Sequence, residues 1–290
     1  VAGPTGAGKS LFAATLACRI GGEVVGADAF QIFSGLPILT AQPTEAVLRL
    51  VPHHLIGFLD WREDFDAARY ARMCWQCIGE IQARGNVPVV TGGTGLYLKA
   101  LTHGLAEMPR SDPGMRARLG AMPLDEVLAM LAEKDPCAPG QIDTRNPVRV
   151  RRALEIVLLT GRPLAASRGQ WQKDRGLFRG VVLTRGREDL KNRIATNVDA
   201  MFSSGVVEEV RAAAQAGPGA LRAIGFREIK ALIGGEISEQ ACREAIVAAT
   251  HRYAKRQLTW AHTQFNFPTL DLRANVLPEE AVESALALMD

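Results

Sequence analysis

The 290-residue chain is short of several things, and each shortage removes a class of function. Its formal net charge is only +3, so no protein-wide field gathers nucleic acid, and any nucleic-acid site has to be a local patch. It has five cysteines (Cys18, Cys74, Cys77, Cys137 and Cys242), and only Cys74 and Cys77 stand at a suggestive spacing. That pair lies in an apolar-periodic segment with no second pair nearby, which speaks against zinc or redox chemistry and for buried thiols. His53-His54 likewise lacks further ligands at metal-binding spacing and reads as packing or a polar contact. Nothing resembles a membrane span or a signal peptide, so a cytoplasmic protein without a membrane partner is expected. There is no internal repeat and no low-complexity tract. The Asp-Glu pair that ends a strand in ATP hydrolases is missing too, since Val87–Thr91 runs into Gly-Gly, and this weakens a motor or ATPase reading.

What is present begins at once. Gly3-Pro4-Thr5-Gly6-Ala7-Gly8-Lys9-Ser10 is a complete G-x-x-x-x-G-K-[ST] phosphate-binding loop. Its glycines let successive backbone N–H groups turn toward phosphate oxygens, Lys9 adds a point charge, and the Ser10 hydroxyl is placed to reach a Mg²⁺ ion. Leu11 to Ile20 reads as a helix whose positive end faces the same phosphates. Kinases, NTPases and diphosphate-using transferases share this loop, so it names a ligand group and not a reaction. Such a loop ordinarily follows a buried strand. With two residues ahead of Gly3, that strand is expected to be cut short here.

The first hundred residues alternate short apolar strands with amphipathic helices, the pattern of an α/β parallel sheet with covered faces. Glu23–Ala27 reads as a strand ending at Asp28. Phe65–Arg84 reads as a helix capped by Asp64, and Val87–Thr91 as a buried strand entering Gly92-Gly-Thr-Gly-Leu-Tyr97. From Arg110 to Arg179 strand signals vanish and prolines punctuate short helical segments. This stretch has thirteen Lys/Arg against eight Asp/Glu, so the basic excess is concentrated here. Its densest cluster, Arg145, Arg149, Arg151 and Arg152, starts a helix that runs to Thr160, where cations are awkward unless an anion compensates. Nucleic-acid phosphate and a solvated basic face are both open on charge alone. After Gly180–Thr184 the α/β pattern resumes, with helices over Glu188–Ser203 and from Ser238 to about Thr263, a strand at Pro268–Leu272 and a terminal helix. The expected architecture is a P-loop NTPase-like parallel-sheet core, 1–109 and 180–290, with a helical insertion domain, 110–179.

Asp28 ends an apolar strand directly after the phosphate-loop unit, at the edge where the reacting end of a loop-bound ligand sits, and a carboxylate there can accept a proton. Three glycines around Thr94 exceed what a plain turn needs and favour a ligand-facing role. Arg222, ahead of a helix starting near Phe226, can fold over a diphosphate and neutralise charge on a leaving group. His251–Trp260 mixes cations with aromatics, as nucleic-acid grooves do and as amphipathic surface helices also do.

Taken in order over nearly the whole chain, these segments resemble the tRNA dimethylallyltransferase (tRNA isopentenyl transferase) family. The pieces are Gly3–Ser10, Asp28-Ala-Phe-Gln31, Thr40-Ala-Gln-Pro43, His53-His-Leu55, Gly92–Tyr97, Asp112-Pro113 with Arg116, Asp135-Pro136, Arg149–Glu155, Arg222–Arg227 and Lys255-Arg-Gln-Leu-Thr-Trp260. The resemblance implies that the loop holds dimethylallyl diphosphate, and that N6 of adenine 37 of a tRNA attacks the allylic carbon as pyrophosphate leaves. It implies Asp28 as the base, with Thr5, Lys9, Ser10 and its Mg²⁺, and Arg222 on the diphosphate. Asp28, Ala29, Phe30 and Gln31 would face the extruded base. Thr94, Arg116, Val148, Arg149, Val150, Arg151, Arg152, Arg222, Gly225, Arg227, Lys255, Arg256, Gln257 and Trp260 match positions that touch tRNA. The basic insertion would close on the anticodon stem-loop, and a monomer is expected.

The chain departs from the family pattern in places. Asp28-Ala29-Phe30-Gln31-Ile32-Phe33 stands for the usual Asp-Ser-x-Gln-x-Tyr, Gln42 for a lysine, and Asp143-Thr-Arg-Asn146 for His-Pro-Asn-Asp. A small-molecule kinase, an adenylate isopentenyltransferase making free cytokinin, and a non-catalytic nucleic-acid binder remain as alternatives. A basic insertion of this size argues against the first two.

Overall fold

The computed structural model describes residues 1–104, 109, 111–167, 176–272 and 277–289. Contacts divide it into two units, 1–102 with 175–290 and 103–174. The insertion expected at 110–179 is thus offset to an earlier start and end, and its Arg110 and residues 168–175 lie outside the described residues.

The larger unit is built around the loop. Helix α1 (Lys9–Ile20) stops at Gly21, which takes a left-handed φ of 64° and returns its N–H to Ala17 O. Strand β1 (Gly22–Gly26) follows and is buried along its whole length. Helix α2 (Glu45–Leu48) and strand β2 (His53–His54) lead to α3 (Ala67–Ala83), β3 (Val87–Thr91) and α4 (Gly95–Thr102). Helix α3 starts two residues later than its pattern suggests. The Asp66 carboxylate, not Asp64, accepts from the Arg69 N–H and so satisfies one of the free donors of the first turn. Cys74 and Cys77 are buried on its inner face, and burial pushes the Cys74 thiol up to about 12.

Among the described residues the regular elements of the second unit are all helical, the α-helices being α5 (Pro113–Ala121), α6 (Leu124–Lys134), α7 (Pro147–Thr160) and α8 (Leu164–Ser167). Leu119, Val127, Leu131, Val150, Leu154 and Leu164 form its own core. Asn146 caps α7 by accepting from the N–H groups of Val148 and Arg149, and Gly161 closes it in the left-handed conformation.

The chain then completes the larger unit with β4 (Val182–Thr184), α9 (Arg187–Ser203), α10 (Val206–Ala212), α11 (Phe226–Ile233), α12 (Glu239–Gln264), β5 (Thr269–Asp271) and α13 (Pro278–Met289). Strand β1 is central in a parallel sheet of order β2-β1-β3, with Val24 opposite both His53 and Val89. Strands β4 and β5 form a second parallel pair. Ala2 links the two sheets. Its N–H donates to Val181 O, its carbonyl accepts from Leu183, and it bridges Gly92 on the other side. An apolar cavity of about 500 Å³ is lined by β3 residues, by Gly180 and Val181, and by Val1. Phe12, Leu16, Val24, Val89 and Leu183 make the core under α1. A second core joins Ile32, Phe33 and Leu36 to α9, α10, α11 and α12. Among the described residues no helix is long and apolar enough to cross a membrane.

Parallel pairing puts the carboxyl ends of β1, β3 and β4 on one edge, where Asp28, Thr91 and Arg185 stand beside the phosphate loop. At the opposite end of β1, buried Glu23 accepts from both Arg84 nitrogens (2.8 and 3.0 Å), from Asn86 (2.8 Å) and lies 2.6 Å from His54 Nε2. His54 is therefore a polar contact, in keeping with its reading from spacing. Hydrogen bonding from Arg84 holds the Glu23 carboxyl down at about 2 against an ordinary 4.5. Its stabilising contribution is complete above the ordinary value and is lost as pH falls toward 2. Glu23→Ala is expected to cost roughly 2 kcal/mol, less than a fully buried pair because Arg84 is half exposed. Urea unfolding near neutral pH measures this loss. The same titration between pH 4.5 and 2.5 should show a shallower acid slope for Glu23→Gln than for the unsubstituted chain.

Candidate active site

The phosphate loop turns through left-handed glycines, Gly6 at φ 79° and Gly8 at φ 93°, which a side chain would strain. Gly8 is also the N-cap of α1 and offers no side chain to cap it, so the first-turn N–H groups of this helix keep their capacity for an anion. Lys9 Nζ folds back onto Pro4 O at 2.8 Å. Burial lowers its ammonium to about 8, against the opposing pull of Asp28. Two arginines brace the loop from outside. Arg193 Nε donates to Gly6 O (3.0 Å), and Arg185 Nε donates to Ala7 O (2.9 Å) while its Nη1 pairs with Asp189. Both guanidinium groups come within 4 Å of the point where a Gly8 side chain would begin.

This loop forms one end of a cavity of about 380 Å³. Thr5, Gly6, Gly8, Lys9, Ser10 and Arg193 line the cationic end. Asp28, Gln31, Thr91 and Tyr253 supply further polar groups, and Leu39, Ile194, Val198, Met201, Ile224 and Ile246 supply an apolar wall. A cationic cradle continuous with an apolar wall fits a ligand that joins a diphosphate to a short hydrocarbon. Asp28 Oδ1 accepts from the Phe30 N–H (2.9 Å), which orients the carboxylate, and its charge is felt by Lys9, Tyr97 and Tyr253. Burial and Asp28 raise both tyrosine phenols well above their ordinary value, so both are neutral donors. Gln31 Nε2 donates to Ala41 O (2.7 Å), and Gln42 Nε2 donates to the carbonyls of Gln31 and Phe33, so Gln42 fixes the segment carrying Asp28 and Gln31.

A family model described as IPP transferase matches residues 31–264. The chain is 42% identical to tRNA dimethylallyltransferase 1 of Citrifermentans bemidjiense, over 89% of this chain and 86% of that one. It is 40% identical to the tRNA dimethylallyltransferase of Sphingopyxis alaskensis, over 91% and 89%. The chain belongs to the IPP transferase family. Its fold is similar to that of the full-length tRNA isopentenylpyrophosphate transferase of Bacillus halodurans, with a TM-score of 0.72, 31% identity, and 99% and 93% of the two chains covered. It is also similar to a eukaryotic dimethylallyltransferase solved acting on tRNA, with a TM-score of 0.77 at 26% identity over 93% and 72%.

For a member of the IPP transferase family, several expected site residues stand elsewhere than their motifs suggest. Gly3, Pro4 and Ala7 lie behind the cavity wall: Gly3 packs under Leu183, and the carbonyls of Pro4 and Ala7 are acceptors for Lys9 and Arg185. They shape the loop without facing its contents. The glycines around Thr94 make room for neighbouring protein groups, and of the three Gly92 also lines the cavity. A side chain on Gly92 would meet Ala27, one on Gly93 would meet the Gln257 amide, and one on Gly95 would meet the Trp260 ring. Gln257 is itself buried, taking the Thr5 N–H on Oε1 (2.7 Å) and giving Nε2 to Gly93 O (3.0 Å), so it ties two loops together and is turned away from the surface that RNA would touch. Thr94 accepts from the Ala29 N–H (2.8 Å). Gly225, buried at φ 95°, packs against Leu39 and Ile246 and is likewise closed to RNA. Arg222 is exposed at the end of a short turn, and its charge reaches Tyr97, which also feels Asp28. Arg227, Lys255 and Arg256 are exposed, while Trp260 is half-buried.

The basic cluster of the second unit is also altered by its surroundings. Val150 is wholly buried in the helical core and cannot face RNA. Arg151 donates to the carbonyls of Leu119 and Met122. Arg152 bonds Pro109 O and the buried Glu155 carboxylate (2.6 Å), which also receives Arg116 at 3.5 Å. The compensating anion for part of this cluster is thus Glu155. Val148, Arg149 and Arg145 remain outward, with Val148 70% exposed.

Arg185 and Arg193 were not foreseen from sequence. Arg185 follows β4 as Asp28 follows β1, so the strand-end rule applied once more would have found it. Arg193 had no local signal.

Two outcomes follow from this geometry. Gln257→Leu keeps the volume but leaves the Thr5 N–H and Gly93 O without partners. It should destabilise the chain by roughly 1–3 kcal/mol and weaken inorganic pyrophosphate binding at least fivefold, read by thermal melting and calorimetry. The Lys9 ammonium must be protonated to hold an anion, so pyrophosphate affinity should fall as pH rises through about 8. Because burial disfavours the charged form, stability without ligand should rise over the same range. Lys9→Met should flatten both trends.

Proposed function

We propose that this chain transfers the dimethylallyl group of dimethylallyl diphosphate to N6 of adenine 37 in tRNA, releasing pyrophosphate. The observation that carries the reading is the single cavity that joins a phosphate loop, an apolar wall and the Asp28 carboxylate in a member of the IPP transferase family. The names of the relatives support tRNA as the acceptor.

In this reading Lys9, Arg193 and the loop N–H groups hold the diphosphate, and the allyl chain lies along the apolar wall. The N6 lone pair forms a bond to the allylic carbon, the carbon–oxygen bond to the diphosphate breaks, and its electron pair leaves with pyrophosphate. The N6 proton passes to Asp28. That exocyclic amine is a weak nucleophile because its lone pair is delocalised into the ring, so a positioned base acts where it is needed most. The positive end of α1 and the cations around Gly8 favour the charge that grows on the leaving group.

The site also suits Mg²⁺. The Ser10 hydroxyl is a hard oxygen donor on the cavity wall, and it would hold Mg²⁺ together with the ligand's oxygens and water. Mg²⁺ would supply charge neutralisation on the diphosphate. In the larger unit Arg222, Arg227, Lys255 and Arg256 are exposed cations, and in the second unit Arg116 and Arg149 are; each set offers phosphate contacts to an anticodon stem-loop. The enzyme would act as a cytoplasmic monomer.

The direct test is transfer of labelled dimethylallyl groups, with Mg²⁺, to unmodified tRNA carrying A37, beside an A37→G tRNA and AMP. Label on the A37 tRNA alone is expected, and label on AMP at an equal rate would replace this reading with free cytokinin synthesis. Asp28→Asn should lower the transfer rate at least a hundredfold while tRNA affinity stays within about threefold. A loss of tRNA binding with turnover intact would remove Asp28 from its role.

A further inference from the structure

Among the described residues two buried side-chain polar atoms have no hydrogen-bond partner, His53 Nε2 and Thr91 Oγ1. Only Thr91 lines the cavity. Its residue is 9% exposed, and its backbone is already satisfied by the β1 ladder and by the Ala27 N–H, which donates to its carbonyl at 2.7 Å. The hydroxyl alone is unmatched. A buried hydroxyl without a partner lowers stability, so a position that keeps one there has a use for it or admits a partner from outside.

The direction of this side chain follows from strand alternation. Val89 lies on the face of β3 that packs with Phe12, Ala13 and Leu16 of α1. Thr91, two residues on and at the carboxyl end, shares that face and therefore looks toward the first turn of α1. There it lines the cavity together with Gly8, Lys9, Ser10 and Asp28. In ATP-hydrolysing phosphate-loop proteins a strand-end carboxylate completes the metal site. A carboxylate at Thr91 would add a negative charge beside Asp28 and oppose a diphosphate. A hydroxyl gives a hydrogen bond without that charge.

The geometry points to Thr91 as a binding residue whose hydroxyl donates to a diphosphate oxygen, or to a water held by its Mg²⁺, in this cavity. The inference rests on the proposed function, which puts a diphosphate in the phosphate loop, and the test separates the two. Inorganic pyrophosphate is titrated into the full chain by calorimetry, once with Mg²⁺ and once with EDTA, for the unsubstituted protein, Thr91→Val and Thr91→Ser. Thr91→Val keeps the shape and removes the hydroxyl, so it should bind five- to tenfold more weakly, yet melt at the same or a higher temperature without ligand. Thr91→Ser should bind within about threefold of the unsubstituted chain. Loss in both arms would place the contact on a phosphate oxygen, and loss with Mg²⁺ alone would route it through the ion; either supports the inference. Equal binding by Thr91→Val in both arms would overturn it, as would an equal loss in Thr91→Ser, which would make the methyl group responsible. No binding by the unsubstituted chain in either arm would instead remove the diphosphate reading, and this inference with it.

Discussion

The site depends on one constraint: a loop of left-handed glycines has to be held in an open turn with no ligand inside it. Within Gly3–Ser10 only the Pro4 carbonyl is tied down, by the Lys9 ammonium and the Ala7 N–H. The other restraints come from far along the chain. Gln257 of α12 holds the Thr5 N–H and the Gly93 carbonyl with the two ends of one amide, while Arg185 and Arg193 hold the carbonyls of Ala7 and Gly6. Preorganisation of this kind means the cradle does not have to be assembled when the ligand arrives. It also explains why Gly92, Gly93 and Gly95 must be small. Gly92 lets the backbone at Ala27 come close, and Gly93 and Gly95 admit Gln257 and Trp260, so that α12 reaches the loop.

Charges of both signs line the cavity. Lys9 and Arg193 bring positive charge to the cavity at the loop, while Arg185 is paired with Asp189 and braces the loop at Ala7 O. Asp28 lines the same cavity as Lys9 and the apolar side chains, with its carboxylate oriented by the Phe30 N–H. Tyr97 and Tyr253 are kept neutral beside it, so they modulate Asp28 as dipoles without competing as anions. Thr91 at the end of β3 adds a hydroxyl to this cavity and no charge. In the proposed reaction this arrangement would serve as a leaving-group cradle next to a proton acceptor, as prenyl transfer to a weakly nucleophilic amine requires.

Much of this was legible from the chain. The phosphate loop, β3 at Val87–Thr91, the Ser238 cap of α12 and the Gly161 stop of α7 follow from short-range rules that tertiary context left alone. Asp28 was found because strand ends in parallel sheets converge on one edge. The failures came where a local pattern has two physical uses. Repeated glycines serve either a ligand or a neighbouring side chain, and around Thr94 they serve Gln257 and Trp260. Clustered arginines face either solvent or a buried anion, and Glu155 together with the carbonyls of Leu119 and Met122 claims Arg151 and Arg152. A helix contributes buried and exposed residues by turns, which is why Val150 and Gln257 lie inside while Arg149 and Arg256 face out. Arg193 reaches Gly6 across 187 positions of sequence, and no short-range pattern reports such a contact.

The claim at the centre is that the phosphate loop holds a prenyl diphosphate and not a nucleotide. Competition calorimetry with a non-transferable thio analogue of dimethylallyl diphosphate against ATP, both with Mg²⁺, tests it most directly. The analogue should bind at least tenfold more tightly than ATP and displace inorganic pyrophosphate one for one. Tighter binding of ATP, with no displacement of pyrophosphate by the analogue, would contradict it.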